Sequence, residues 1–216
     1  EVCSNIQLYD GISLIRSWTE LKNNGEEDLG VEYVSSFALL GIDKEGLLST
    51  DEKLEVLIAR NAWQKELIWN RFSMDQLGMS ISQPDKVRRS SQTISVGNTG
   101  NWSTKNYLPM GCLKNKETDS ILFWQIEQNG SWYWEISDQD GHMYLQLSGP
   151  TEHQSHWWKN LKPGDTFASV PVSVGSACGD VEEAAGELTK YRRAIRRKNE
   201  DNEKLPVIFN DYMNCL

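Results

Sequence analysis

The chain has 216 residues, enough for one large or two small domains and for a core that needs no disulfide staple. Its 31 acidic residues against 22 basic ones leave a net charge of −9, which argues against nucleic acid or an anionic membrane as the main partner. No apolar run reaches the 18 residues expected of a membrane-crossing helix, and no basic stretch followed by an apolar core opens the sequence as a secretory signal would.

Residues 1–178 read as strands and turns. In IQLYDGISLIRSW, Asp10-Gly11 stands between two apolar runs and predicts a hairpin, and Asn24-Gly25 marks the next turn. VEYVSSFALLGI is an aromatic and β-branched run expected to be a strand. KLEVLIAR alternates, with Leu54, Val56 and Ile58 on one side. RNAWQKELIWNRFSM fits two periods: Trp63, Leu67 and Asn70 have helical spacing, while Trp63, Leu67 and Trp69 suit a strand. Its neighbours favour the strand. GNTGNWSTKNYLPMGC, residues 97–112, is rich in Gly, Asn, Ser and Thr and reads as a long loop carrying Trp102.

The clearest pattern is ILFWQIEQNGSWYWEISDQDGHMYLQLSG. Asn129-Gly130 and Asp140-Gly141 are both turn dipeptides, and the segments around them alternate. Leu122, Trp124 and Ile126 share a face, as do Trp132, Trp134 and Ile136, and Met143, Leu145 and Leu147. The expectation is a three-stranded meander with one wholly apolar, core-facing side. The other side carries Phe123, Gln125, Glu127, Tyr133, Glu135, Tyr144 and Gln146. Rings mixed with amides and carboxylates suit a sugar, a solvated face, or packing beneath a further layer. Pro163-Gly164 gives one more turn before a last strand, so that many short strands with turn residues between them point to a sandwich or barrel.

The period then changes. Val181, Ala184, Ala185, Leu188, Tyr191 and Ile195 recur at helical spacing, with Asp180 placed to cap the helix and Glu183 to reach back to it. Arg192, Arg193, Arg196, Arg197 and Lys198 crowd the last turns, where cations suit the negative end of the helix dipole. KNEDNEKLP breaks the helix, and Val207, Ile208 and Phe209 follow as a short apolar run typical of a strand buried on both faces. This order predicts a β-domain at 1–178, a connecting helix and linker at 179–204, and at 205–216 the first strand of a domain that lies beyond Leu216.

Few motifs carry chemistry. Cys3, Cys112, Cys178 and Cys215 are far apart with no CxxC pair, so free or buried thiols of a reducing compartment are expected rather than a structural zinc. His153 and His156 sit three apart beside Trp157 with no third ligand nearby. No metal or other cofactor is expected. There is no GxSxG elbow, no phosphate-binding loop and no dinucleotide fingerprint.

Three stretches together carry a resemblance. ILFWQIEQNGSWYWEI resembles the tryptophan-rich N-terminal hairpin of glycoside hydrolase family 36, the α-galactosidases of bacterial type. LKPGDTFASVPVSVG followed by EEAAGELTKYRRAIRR resembles the family's passage from sandwich to catalytic domain, and PVIFNDYMNCL resembles its first barrel strand. The resemblance implies a mainly β fold: an antiparallel β-supersandwich lacking its first strands, a connecting α-helix, and the first strand of a truncated (β/α)8 barrel. It implies a cytoplasmic homo-oligomer that hydrolyses terminal α-galactosides of oligosaccharides with retention.

Retention needs two carboxylates about 5–5.5 Å apart, and the family's pair lies on later barrel strands. No residue here is assigned as catalytic, and the chain alone is expected to be inactive. The resemblance also implies that a sandwich loop reaches the substrate cleft, which places Asn101 and Trp102 at its wall. At the end of the terminal strand the family typically reads Asn-Asn-Trp-Glu. Here Asn210 agrees, while Asp211, Tyr212 and Met213 depart. By position, Asn210, Asp211 and Tyr212 are expected to face the substrate, with Tyr212 supplying a ring for stacking. A rival reading is an independent carbohydrate-binding module with its aromatics on the wet face.

Overall fold

The computed structural model describes residues 1–79, 92–139 and 141–209. Its elements are β1 (Val2–Leu8), β2 (Leu14–Lys22), β3 (Leu29–Val31), β4 (Ser35–Leu40), α1 (Thr50–Lys53), β5 (Leu54–Ala62), β6 (Lys65–Ser73), a 3-10 turn at Asp75–Leu77, β7 (Thr93–Asn98), β8 (Tyr107–Asn115), β9 (Ser120–Ile126), β10 (Trp132–Gln139), β11 (His142–Ser148), α2 (Glu152–Ser155), β12 (Lys159–Leu161), β13 (Thr166–Ala168), β14 (Val172–Cys178), α3 (Val181–Ile195) and α4 (Glu200–Lys204). An eight-stranded sheet runs β1-β2-β14-β9-β8-β5-β6, with β13 also paired to β2. A four-stranded sheet runs β4-β11-β10-β7, and β12 pairs with β3. Every ladder among the described residues is antiparallel.

The two larger sheets pack face to face. Alternation in each strand sends one set of side chains inward, so Val56 and Trp124 from the large sheet meet Val96, Trp134, Ile136 and Leu145 from the small one. The rings of Trp124 and Trp134 lie edge to face across this core, 5.1 Å apart. All nine residues expected on the apolar face enter this core, Leu122 at its margin. They do not form one meander. β9 belongs to the large sheet and β10 to the small one, so the segment around Asn129-Gly130 passes between sheets instead of turning a hairpin. The next turn is the hairpin expected: Gln139 pairs with His142, and Gly141 has φ 79°. Asp140 lies outside the described residues.

The other face of the large sheet is covered by α3. Asp180 accepts from Val181 N at 2.7 Å, and Glu183 Oε2 accepts from Asp180 N at 2.8 Å, completing the expected capping box. The Arg71 guanidinium grips the Asp180 carboxylate at 2.7 and 2.8 Å and so ties the start of α3 to β6. Ala184 and Tyr191 pack on Phe123, Ile121, Cys112 and Leu57 in a second core. Glu127 completes the docking: its carboxylate accepts from Arg16 at 2.8 and 3.1 Å and from the Tyr191 hydroxyl.

Three further expectations are corrected. VEYVSSFALLGI is divided between β3 and β4 rather than forming one strand. Residues 107–112 belong to β8, which leaves 99–106 as the loop; Pro109 and Gly111 disguise a strand whose following residues are buried. The linker after α3 contains the short helix α4, capped by Asn199 accepting from Asn202 N. Beyond α4, Val207, Ile208 and Phe209 are exposed and take part in no ladder among the described residues. Residues 210–216 lie outside them.

Candidate functional site

The loop 99–106 sits where the two sheets end together. Trp132, in β10, donates Nε1 to the Ser103 carbonyl at 2.7 Å. Ser131 Oγ accepts from Gly100 N at 3.0 Å. From the large sheet, Asn61 donates Nδ2 to the Thr104 carbonyl at 2.6 Å and its backbone N to the Asn106 carbonyl at 3.0 Å. The Asn61 side-chain oxygen accepts from Leu67 N at 3.2 Å, so one asparagine holds both the loop and the β5–β6 hairpin. Arg60 stacks over the Tyr107 ring, 5.2 Å from its centroid.

This scaffold presents two tryptophans to solvent. Trp102 is 58% exposed beside exposed Asn101, and Trp63, at the tip of the β5–β6 hairpin, is 82% exposed. The loop and the hairpin that carry them are tied to the sheets by these bonds, and each ring offers a partner an apolar face with a polar N–H at its rim. A cleft of about 280 Å³ opens next to the loop, with Asn98, Lys105, Asn106, Tyr133 and Gln154 in its lining. Amides and an ammonium group supply donors and acceptors of the kind that match hydroxyls.

The outer face of the small sheet behaves differently. Glu135 accepts from the Tyr133 hydroxyl at 2.6 Å and from the Tyr144 hydroxyl at 2.8 Å. Burial, followed by these bonds to Glu135, raises both phenols above their ordinary range, so each remains a donor and the cluster satisfies itself. Of the three readings open for this face, packing beneath a further layer holds for the β9 part, where Phe123 lies under α3, while Tyr133, Glu135 and Tyr144 bond to one another.

A second concavity, about 420 Å³, lies between α3 and the large sheet, with Leu67, Trp69, Met110 and Leu188 in its wall and Arg192, Arg193 and Arg196 at one end. Cys112 lines it, but burial pushes the thiol up to about 12, which leaves it protonated and unsuited to nucleophilic attack at neutral pH.

Of the residues expected to face substrate, Asn101 and Trp102 stand together on the fixed loop. Asn210, Asp211 and Tyr212 lie outside the described residues. Asn61 and Trp63 were missed by sequence reasoning, because nothing in RNAWQK marks a turn; Gln64 there takes a positive φ of 60° without glycine. Among the described residues no group of three or more His, Cys, Asp or Glu is arranged to hold a metal, and no helix is long and apolar enough to cross a membrane.

No family model matches the sequence, and no curated protein matches it. Solved structures do. The α-galactosidase AgaA of glycoside hydrolase family 36 from Geobacillus stearothermophilus, in complex with stachyose, superposes with a TM-score of 0.74 at 14% identity, covering 94% of this chain and 25% of that one. The α-galactosidase from Lactobacillus brevis gives 0.69 at 14% identity over 89% of this chain and 23% of the other. The galactosidase domain of the α-galactosidase-sucrose kinase AgaSK gives 0.68 at 17% identity over 86% and 23%. The match falls on the N-terminal region of these enzymes, and the chain spans about a quarter of their length. At such identities the likeness establishes the fold: mainly β, antiparallel sheets with a C-terminal helix, like that N-terminal domain.

Proposed function

We propose that this chain is the non-catalytic N-terminal β-sandwich region of a retaining α-galactosidase, supporting the catalytic barrel, contributing to homo-oligomerisation, and walling the substrate cleft. The observation that carries the reading is the match of almost the whole chain, 94%, to one quarter of an α-galactosidase that was crystallised with stachyose. Related crystals of AgaA hold raffinose, so α-galactosides of this oligosaccharide class are the proposed substrates. Exposed Trp102 on its four-bond scaffold supports a walling role, with Asn101 beside it. Asn210, Asp211 and Tyr212 are proposed as further substrate contacts on the resemblance of their segment to a first barrel strand. The free Cys3 and Cys178, both exposed, suit work in the reducing cytoplasm.

The test is made in the complete enzyme. Trp102→Ala and Tyr212→Ala are each expected to lower kcat/KM for raffinose at least about tenfold, roughly 1.4 kcal/mol. Kinetics unchanged by both substitutions, in folded protein, would remove the walling role. The chain of 216 residues is expected to show no turnover of an aryl α-galactoside; saturable hydrolysis abolished by substituting one of its own carboxylates would overturn the non-catalytic reading.

A second reading, an independent carbohydrate-binding module, is favoured by the joined tips bearing Trp63 and Trp102. It requires the chain by itself to bind raffinose and to lose that binding on Trp63→Ala, whereas a cleft wall needs the barrel to complete its site.

A further inference from the structure

The outer face of the small sheet is uneven. On β10 it carries Tyr133 and Glu135, and on the neighbouring β7 their ladder partners are the small Gly97 and Ser95. A methyl group on Gly97 would stand 2.9 Å from the Trp132 carbonyl oxygen and 3.4 Å from Tyr133 Cδ2. The Tyr133 ring therefore lies close alongside a strand that has no side chain at that point. The cleft of about 280 Å³ opens over this bare strip, with Ser95, Gly97 and Tyr133 in its lining.

Toward β11, on the other flank of Tyr133, lies a neighbouring cleft of about 270 Å³ lined by Tyr33, Glu135, Gln146 and Glu152 among others. Tyr133 and Gln154 line both clefts, so the two form one groove with these residues at its waist. Each alone is smaller than a small-molecule site of roughly 300–1,000 Å³, and joined they fall within that range. All the walls come from residues 32–154.

The waist is held from both sides. The Tyr133 hydroxyl is committed to Glu135, which also takes the Tyr144 hydroxyl, so what Tyr133 offers the groove is its ring. Gln154 stands on α2, where Thr151 Oγ1 accepts from its N–H at 3.0 Å and Ser155 Oγ donates to the Thr151 carbonyl at 2.8 Å. Glu152 N donates to the Glu32 carbonyl at 2.8 Å and ties α2 to the segment that carries Tyr33. A groove ordered in advance spends little entropy on its ligand.

The lining selects the ligand's chemistry. No Leu, Ile, Val or Met lines either cleft, so an alkyl chain or an apolar peptide side chain has nothing to pack on. Glu32, Glu135 and Glu152 outweigh Lys105 and disfavour an anion. Asn98, Asn106, Gln146 and Gln154 each offer both a donor and an acceptor. Among the described residues, the side chains of Asn106 and Gln154 bond to no other residue, which leaves them to a ligand. Amides around a fixed tyrosine ring suit a neutral molecule with many hydroxyls and a C–H face to lay on the ring.

We propose that this groove binds a neutral oligosaccharide, with one sugar ring in each cleft on either side of Tyr133. The proposal adds a glycan site to the reading above without resting on it, since neither Trp63 nor Trp102 lines the groove. Its failure leaves the α-galactosidase reading untouched.

The isotope-labelled chain is titrated with raffinose, maltotriose and cellotriose, and its amide shifts are followed by NMR. At least one of the three is expected to shift a contiguous set that includes Gly97, Asn98, Asn106, Tyr133 and Gln154. Galactose alone, filling one cleft, should bind at least about tenfold more weakly than that oligosaccharide. Gln154→Ala, at an exposed position, should raise the dissociation constant about three- to tenfold, the worth of a hydrogen bond or two. Tyr133→Leu should raise it at least about tenfold, while Tyr133→Phe, which keeps the ring, should change it by less than about threefold. Trp63→Ala should leave it unchanged. Shifts with none of the three sugars, shifts centred on Trp63 and Trp102, or binding indifferent to both Gln154→Ala and Tyr133→Leu would each overturn the proposal. So would choline chloride moving the groove amides where no sugar does, since the tyrosines and carboxylates would then serve a cation.

Discussion

Gly175 is expected to be the least replaceable glycine of the sandwich. It lies in β14, opposite Leu14 of β2 and Phe123 of β9. A methyl group there would stand 2.4 Å from Phe123 Cζ, 2.5 Å from the Ser13 carbonyl oxygen and 2.7 Å from Leu14 Cβ. Carbon contacts are most favourable near 3.5–4.0 Å, so each neighbour would have to retreat by about 1 Å. None is free to do so. Phe123 is buried under α3, and Ser13 is held by Glu187 at its N–H and by Ser176 at its carbonyl. Overpacking of this kind costs about 1–3 kcal/mol, and contact with backbone argues for the upper end. Loss of glycine's freedom in the unfolded chain returns about 0.4–1 kcal/mol. The net expectation for Gly175→Ala is about 2 kcal/mol of destabilisation. With a denaturant slope near 2 kcal/mol/M, the urea midpoint falls by about 1 M. Gly111→Ala is the control, since the three atoms nearest its methyl would be indole atoms of Trp124, at 2.5, 2.8 and 3.1 Å, and none is backbone. Trp124→Phe removes those atoms and should relieve the clash at Gly111. Phe123→Leu should not rescue Gly175→Ala, because the Ser13 carbonyl remains. A Gly175→Ala midpoint within about 0.2 M of wild type, or full rescue by Phe123→Leu, refutes this reasoning.

Tyr191→Phe should cost about 1.5–3 kcal/mol, the worth of a hydrogen bond to a charged group, since Glu127 loses the hydroxyl that docks α3; a change below about 0.5 kcal/mol in urea titration would show the helix to be held by packing alone. Folding favours the protonated thiol of Cys112, whose pKa is raised from 9.0 to about 12 by burial. Its contribution to stability is therefore complete below about pH 9 and is lost as pH rises toward 12, so Cys112→Ala should flatten the alkaline limb of a stability–pH profile. Peptide mapping after alkylation of the native protein should find Cys3 modified and Cys112 spared. Trp102→Ala, at an exposed position, should change stability by less than about 0.5 kcal/mol, whereas Asn61→Ala, which removes side-chain bonds to the loop and to the β5–β6 hairpin, should cost about 1–2 kcal/mol; the two are compared by thermal denaturation.

Periodicity revealed which side chains point inward. Leu122, Trp124, Ile126, Trp132, Trp134 and Ile136 recur at every second position, and alternation is a property of each strand by itself. It carries no information about the lateral partner. A turn dipeptide such as Asn129-Gly130 reverses the chain whether the next strand lies alongside or in the facing sheet, so the change of sheet between β9 and β10 was hidden. The end of the 97–112 segment was hidden for another reason. Pro109 and Gly111 are strand-breaking by composition, and Gly111 is required there by the Trp124 ring lying over it. For the candidate site, Trp102 stood out as an aromatic in a polar stretch. Its supports did not, because Asn61 and Trp132 reach the loop from distant parts of the sequence.

β14 is laid down late in the chain yet occupies the middle of the eight-stranded sheet, between β2 and β9. Before it is present, β2 and β9 each have one edge without this partner, and the large sheet exists as two separate ribbons. Closing the ribbons pairs Ser17 with Val172, a contact between regions far apart in sequence, and such contacts carry the entropy of the loop they enclose. During synthesis the N-terminal hairpin must therefore wait for residues 172–178 to leave the ribosome. Assembly should then end with strand insertion rather than with addition at an edge, and α3, which follows directly, can dock only on a surface that β14 has just completed.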